Sequence, residues 1–189
     1  TSISNSNQQR KFINSAAKLK NLNNLTVVTC DMNSFNADTK FDRVVSVEMF
    51  EHMQNYEQLM ENISSWLKPN GKLFVHIFCH QKFAYFFSTE GSDNWMGRYF
   101  FTGGLMPSED LLLKFKKNLS LDKQWRWNGR HYKNTSNAWL KNMDREKNKI
   151  LPILEQVYGF NERDTWFQRW RIFFMSCAEL FGYNRGYQW

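Results

Sequence analysis

The chain has 189 residues, 42% hydrophobic and 17% aromatic, enough for a domain with a real core. Its net charge is +7, yet the 25 Lys and Arg residues are dispersed and no RNA-recognition, KH or zinc signature occurs, which argues against nucleic acid as a partner. No apolar run approaches the ~20 residues that span a bilayer, the first six residues lack the basic and apolar parts of a signal peptide, and Cys30, Cys79 and Cys177 show no metal-ligand spacing. The cysteines read as small core residues in a reducing, cytoplasmic compartment.

The spacing predicts a helix over 6–19, with Ser6 as N-cap and Phe12, Ile13, Ala16 and Leu19 as its apolar stripe. Residues 21–24 break it, a β-branched strand over 25–29 follows, and a polar loop runs from Cys30-Asp31 to Lys40. Residues 41–47 read as a second, buried strand. An amphipathic helix over 56–67 carries Leu59, Met60, Ile63, Trp66 and Leu67, and the breaker run 68–72 leads to a third strand over 73–78. This alternation of helix and strand is the pattern of a parallel α/β sheet. Residues 83–101 are aromatic, contain glycine and keep no sustained period. Such a stretch reads as a substrate cover, with an apolar packing insert as the plainer alternative. Ser108 caps an expected helix, 119–127 reads as an outer strand, and helices are expected over 136–143, 150–158 and 163–181. The chain thus divides into a sheet-and-helix core (1–80), a lid (81–118) and an outer strand with C-terminal helices (119–189).

The stretch Ser46-Val47-Glu48-Met49-Phe50-Glu51-His52-Met53 lies just past the second strand. Ligands of open α/β sheets bind beyond the carboxyl ends of strands. If a helical turn starts here, Glu48, Glu51 and His52 share one face at i, i+3 and i+4. The plainer reading is a polar first helical turn, in which the helix dipole favours acids.

That stretch, residues 73–80 (LFVHIFCH), 95–107 (WMGRYFFTGGLMP) and 177–183 (CAELFGY), and Gly129-Arg130-His131-Tyr132 together resemble one group of S-adenosylmethionine-dependent methyltransferases. The group is that of cyclopropane fatty-acid synthase, and the similarity is greatest to its coclaurine N-methyltransferase-like branch. It covers essentially the whole chain and implies an α/β, Rossmann-like class I methyltransferase fold with an aromatic and helical substrate-covering region. The family's first strand ends in a glycine-rich loop that holds the amino-acid end of the cofactor, and this sequence shows no such loop. Residues 1–6 resemble the segment just after the second strand, and Trp189 falls about where a last strand begins. The expectation is an internal piece of such a fold, incomplete at both ends.

The resemblance implies that Glu48, Glu51 and His52 line the acceptor pocket, with Glu51 the principal base and His52 second. In cyclopropane synthases the positions matching Glu51, His76 and Tyr132 hold a bicarbonate that serves as base, and all three residues are here. Phe78, Tyr85, Trp95, Tyr99, Phe100 and Phe101 are expected to wall the pocket, where aromatic faces attract sulfonium and ammonium groups. S-adenosylmethionine is expected against Ser4, Asn5, Ser6 and Gln9, with Asp31 and Met32 flanking its adenine and Ser46 or Val47 under its sulfonium. The leading reading is N-methylation of a small amine. A second is methylene transfer to a phospholipid acyl chain, for which a basic surface would suit peripheral contact with an anionic membrane. A third is a non-catalytic fragment or interaction module without cofactor affinity.

Overall fold

The computed structural model describes residues 1–189. The chain forms two compact units: residues 1–44 with 57–74, and residues 45–56 with 75–189.

In the first unit β1 (Ser2–Ser4) pairs in parallel with β2 (Val27–Thr29), Ser4 lying opposite Thr29. Residues 2–4, expected to follow a strand, are themselves one, because Ser2–Ser4 extends along the β-branched Val27–Thr29. α1 (Asn7–Leu19) connects the two strands, and Gln9 N–H donates to the Ser6 hydroxyl at 3.2 Å, the N-cap expected from the sequence. The covered face of α1 differs from expectation. Ala17 is buried and Ile13 and Ala16 are half-buried, whereas Phe12 and Leu19 are 75% and 86% exposed. Positions 13, 16 and 17 lie at i, i+3 and i+4 and form one stripe, and the 12/19 pair falls beside it.

α2 (Tyr56–Trp66) buries Leu59, Met60, Ile63 and Trp66, the expected stripe, and Leu67 beyond it is buried too. Phe35 in the loop after β2 meets the Trp66 ring edge-on at 5.1 Å. β3 (Phe41–Val47) and β4 (Leu67–His76) are hydrogen-bonded neighbours. The breaker run 68–72 lies inside the span of β4. There the chain turns after Pro69 with Asn70 at φ 63, a left-handed corner that asparagine tolerates. β4 ends at His76, two residues before the expected limit.

In the second unit the end of β3 is not the buried strand expected. Side chains alternate along a strand, so Ser46 is buried while Val45 and Val47 stay exposed. The aromatic stretch is ordered: β5 (Tyr85–Phe86) pairs antiparallel with β6 (Leu105–Met106), and α3 (Trp95–Tyr99) lies between them. The helix expected after Ser108 is one 3₁₀ turn, Leu111–Lys114, since the Ser108 hydroxyl donates to Asp110 Oδ1 at 2.7 Å and closes a tight local turn. Residues 119–127 run as irregular chain rather than a strand. Trp125 and Trp127 are exposed, and the segment is held by side chains, with Gln124 Nε2 donating to Glu109 O at 3.2 Å and Arg126 paired with Glu109.

Three helices complete this unit: α4 (Arg130–Arg145), α5 (Lys147–Tyr158) and α6 (Arg163–Gly182). α4 begins six residues before the expected start because its first turns are polar and carry no apolar period. Met143, Leu154 and Phe167, one from each helix, form their shared core, with Trp166, Trp170 and Phe174 packed on it. Gly129 precedes α4 where a Cβ would collide with the carbonyl oxygens of Phe181 and Trp189. Only glycine lets the start of α4 lie that close to the end of α6.

Near the same place His80 is 4% exposed. Its Nδ1 accepts from the N–H groups of Lys82 (3.0 Å) and Phe83 (2.9 Å), and Nε2 lies 2.6 Å from the side-chain amide of Gln188. Burial, and secondarily the charge of Lys82, lower the His80 pKa, which keeps the ring neutral.

Ile63 is 1% exposed, so Ile63→Ala should cost about 2–5 kcal/mol of stability by urea denaturation. Phe12→Ala, on the uncovered side of α1, should stay within roughly 0.5 kcal/mol of the parent.

Candidate functional site

Beyond β3 the chain does not enter an α-helix at once. Glu48 sits at φ 52, a left-handed conformation that costs an L-residue with a Cβ roughly 1–2 kcal/mol. Such strain concentrates at functional positions. The Glu48 N–H donates to His76 O at 2.9 Å, which fixes this corner against the end of β4. One 3₁₀ turn, Phe50–His52, follows, and the Tyr56 hydroxyl donates to Phe50 O at 2.7 Å from below it. Phe50 is fully buried and stacks on Tyr56 at 5.9 Å, so the turn is anchored by an aromatic pair.

This geometry separates residues expected to share a face. Glu51 is 3% exposed, whereas the His52 side chain is 58% exposed, its Nε2 3.9 Å from Glu51 Oε1. A 3₁₀ turn advances 120° per residue rather than 100°, which turns His52 outward when Glu51 points in. Glu48 instead meets His76 and Tyr132. Its Oε1 lies 2.9 Å from His76 Nδ1, and its Oε2 accepts from the Tyr132 hydroxyl at 3.1 Å. Tyr132 stands in the first turn of α4, stacked at 4.6 Å on Phe181 of α6. The Gly129 approach that brings α4 onto α6 therefore also aims the phenol at Glu48.

The electrostatics follow from burial. Removal from water pushes the Glu51 carboxyl up to about 7, with the charge of Glu48 adding to the shift. Glu48 is raised by burial as well, against the lowering pull of the Tyr132 hydrogen bond and of His76. Tyr132 is raised by its own burial and then by the charge of Glu48, and Tyr56 is pushed up to about 12 by burial and the charge of Glu51. Both phenols therefore stay protonated donors. Glu51 Oε2 is buried and has no hydrogen-bond partner in the structure. Glu48 Oε1 is likewise buried without a hydrogen-bond partner, and two acids held in low dielectric, each with an open oxygen, favour a proton or a cation between them.

The aromatic residues divide. Phe78 meets Phe101 at 6.0 Å and Phe181 at 6.2 Å, and Phe101 stacks on Phe87 at 4.8 Å. A continuous run of rings thus leads from Tyr132 through Phe181 and Phe78 to Phe101. Phe100 stacks on Phe173 of α6 at 4.3 Å, and Trp95 packs on Phe100 and Tyr99. Tyr99 lies under the Arg169 guanidinium at 4.2 Å, so α3 is fastened to α6. Tyr85 is exposed and edge-on to Phe87, which removes it from the wall expected around the acids. Trp127, whose ring lies 4.8 Å from that of His76, Phe181 and Tyr56 were not among the expected site residues. Phe181 lies within the motif 177–183 and Trp127 two residues before Gly129-Arg130-His131-Tyr132, whereas nothing in the spacing points to Tyr56.

Residues expected near a cofactor are engaged locally. In the first unit the Ser4 hydroxyl donates to Gln9 Oε1 at 2.5 Å, Ser6 caps α1, and Asp31 Oδ1 accepts from the Asn33 N–H and side-chain amide at 2.8 and 2.9 Å. Asn5 and Asp31 stand just past neighbouring parallel strands, the edge where open α/β sheets take ligands. Met32 is half-buried. In the second unit Ser46 Oγ is buried without a partner and Val47 is exposed. Cys177 is buried, its thiol pushed up to about 12, in accord with a packing role.

The sequence model described as mycolic acid cyclopropane synthetase matches residues 1–188. An (S)-coclaurine N-methyltransferase of Thalictrum flavum subsp. glaucum is 35% identical over 193 residues, covering 100% of this chain and 54% of that protein. The crystal structure of a coclaurine N-methyltransferase bound to N-methylheliamine and SAH superposes with a TM-score of 0.92 at 34% identity, over 99% of this chain and 55% of that one. The cyclopropane synthase MmaA2 of Mycobacterium tuberculosis shares the fold, with a TM-score of 0.69 at 18% identity over 96% of this chain and 65% of that one. The chain spans about half the length of the N-methyltransferases it matches. Its architecture is the Rossmann-like α/β fold of class I methyltransferases.

Glu51 binds its proton more tightly when folded, about 7 against 4.5, so its stabilising contribution is complete below pH 4.5 and is lost as pH rises through 7. The difference is roughly 3 kcal/mol. Urea denaturation at pH 5 and pH 8 should show Glu51→Gln gaining on the parent protein by about that amount at the higher pH.

Proposed function

Because the chain belongs to the mycolic acid cyclopropane synthetase family, we propose that it carries the acceptor side of an S-adenosylmethionine-dependent methyltransferase acting on the nitrogen of a small amine. The observation that carries this reading is the buried Glu51, raised to about 7 with an open Oε2, beside the raised Glu48. A site with two acids and aromatic neighbours is complementary to an ammonium group. It binds the amine as a cation and can take the proton that must leave before nitrogen can act as a nucleophile.

S-adenosylmethionine supplies an electrophilic methyl when bound. The strand ends of the first unit, with Ser4, Asn5, Ser6, Gln9, Asp31 and Met32, would hold its polar nucleoside part. Glu51 Oε2 is the proton acceptor, poised near neutrality. Glu48 holds the positive charge, itself held by Tyr132. His52, exposed at the rim and 3.9 Å from Glu51, relays the proton to solvent. Phe78 and Phe101 present apolar faces to the amine's carbon skeleton. The printed names of the N-methyltransferase relatives support an amine acceptor over an acyl chain.

The bicarbonate drawn from the resemblance has less support, since Tyr132 and His76 both engage Glu48.

With amine as substrate, the rate should rise as pH passes about 7, where Glu51 becomes an acceptor. Glu51→Gln should abolish that limb and lower turnover by about 10²–10⁴, with S-adenosylmethionine affinity by calorimetry nearly unchanged. No heat with S-adenosylmethionine would sink the cofactor assignment and favour an interaction module. Phospholipid acyl chains one methylene heavier, with no product from any amine, would move the acceptor to lipid.

A further inference from the structure

Two buried atoms at the acceptor site stand side by side and do not bond. Glu48 Oε1 and His76 Nδ1 are 2.9 Å apart, yet each is buried without a hydrogen-bond partner, because the ring is not aligned for the bond. A buried polar atom left unpaired is costly, and turning the imidazole would pair these two. Some other group therefore holds the ring where it is. Glu48 is fixed through its other oxygen, Oε2, which accepts from the Tyr132 hydroxyl at 3.1 Å. Against His76 lies the Trp127 ring, centroid to centroid 4.8 Å and tilted by 46°. The chain on either side of Trp127 is fastened. Arg126 is paired with Glu109, Asn128 Nδ2 donates to Arg185 O at 3.1 Å, and Asn128 Oδ1 accepts from the Arg130 N–H at 2.9 Å. The indole itself is 68% exposed, so little of it is used in packing.

We propose that Trp127 is a positioning residue that holds the His76 imidazole out of line with Glu48, so that Glu48 Oε1 stays open to a cation. If the ring turned, its Nδ1–H would occupy that oxygen. The site would then offer an ammonium group one open carboxylate oxygen, on Glu51, in place of two. Trp127 thus sets how strongly the site attracts a cation and does so through the imidazole. The ring orientation is a property of the fold alone, while its effect on amine binding rests on the acceptor reading above.

Crystal structures of the full chain carrying Trp127→Ala or Trp127→Phe test the orientation with no methyl donor or amine present. In Trp127→Ala the imidazole should turn and donate from Nδ1 to Glu48 Oε1, and in Trp127→Phe it should keep its place. The kinetic arm uses 2-phenylethylamine, whose ring suits the faces of Phe78 and Phe101. There Trp127→Ala should raise KM about tenfold, the order of one hydrogen bond already made in the free site, with kcat within about twofold of the parent. Trp127→Phe should restore KM. In a His76→Phe background Trp127→Ala should leave KM unchanged, since no imidazole remains to turn. An imidazole that stays unpaired in Trp127→Ala would overturn the inference, and so would a KM rise that persists without His76. A parent protein that methylates no amine would remove the acceptor reading instead, and the two crystal structures would still decide whether Trp127 orients the ring.

Discussion

The structure of the site depends on two carboxylates kept out of water with no lysine or arginine against them. Glu51 is almost fully buried, and the Glu48 side chain is 24% exposed. An ionised acid in low dielectric must find donors, gain a proton or attract a cation. Glu48 accepts from the Tyr132 hydroxyl, and Glu51 keeps its proton into the neutral range. The surrounding architecture can be followed from that requirement. Tyr132 needs the first turn of α4, α4 needs the close approach that Gly129 permits, and His76 needs β4 to end where it does.

The aromatic residues give that arrangement rigidity. Phe181 supports Tyr132, Phe78 joins Phe181 to Phe101, and Phe173 joins Phe101 to Phe100 on the α3 side. Each stacked or edge-to-face pair contributes about 0.5–1.5 kcal/mol beyond its area. Their larger effect is geometric, because rings that interlock leave the phenol and the acids few alternative positions. The residues from the aromatic stretch thus pack against α6, as the packing reading drawn from the sequence expects.

Sequence periodicity revealed the elements whose burial is one-sided. The α2 stripe, the α1 cap and the bounds of β3 all follow from local pattern. It did not reveal the first turns of α4, which are polar, or the irregular run 119–127, in which Leu121, Trp125 and Trp127 remain exposed. At the site, the identities of Glu48, Glu51, His76 and Tyr132 were legible and their arrangement was not. Helical spacing put Glu51 and His52 on one face. The left-handed Glu48 and the 3₁₀ turn after it rotate them apart, a backbone event that no side-chain pattern records.

Glu51 also has a bearing on how such a protein responds to laboratory evolution. A buried acid that resists ionisation lowers folding stability wherever the surroundings are neutral or alkaline. Libraries screened for heat resistance alone will therefore favour neutral residues at this position, which are better for the fold but cannot titrate near neutrality. Selection on robustness and the proposed proton acceptance pull this one carboxyl in opposite directions. A screen that counts survivors without assaying them would enrich well-folded proteins that have lost this titratable carboxyl.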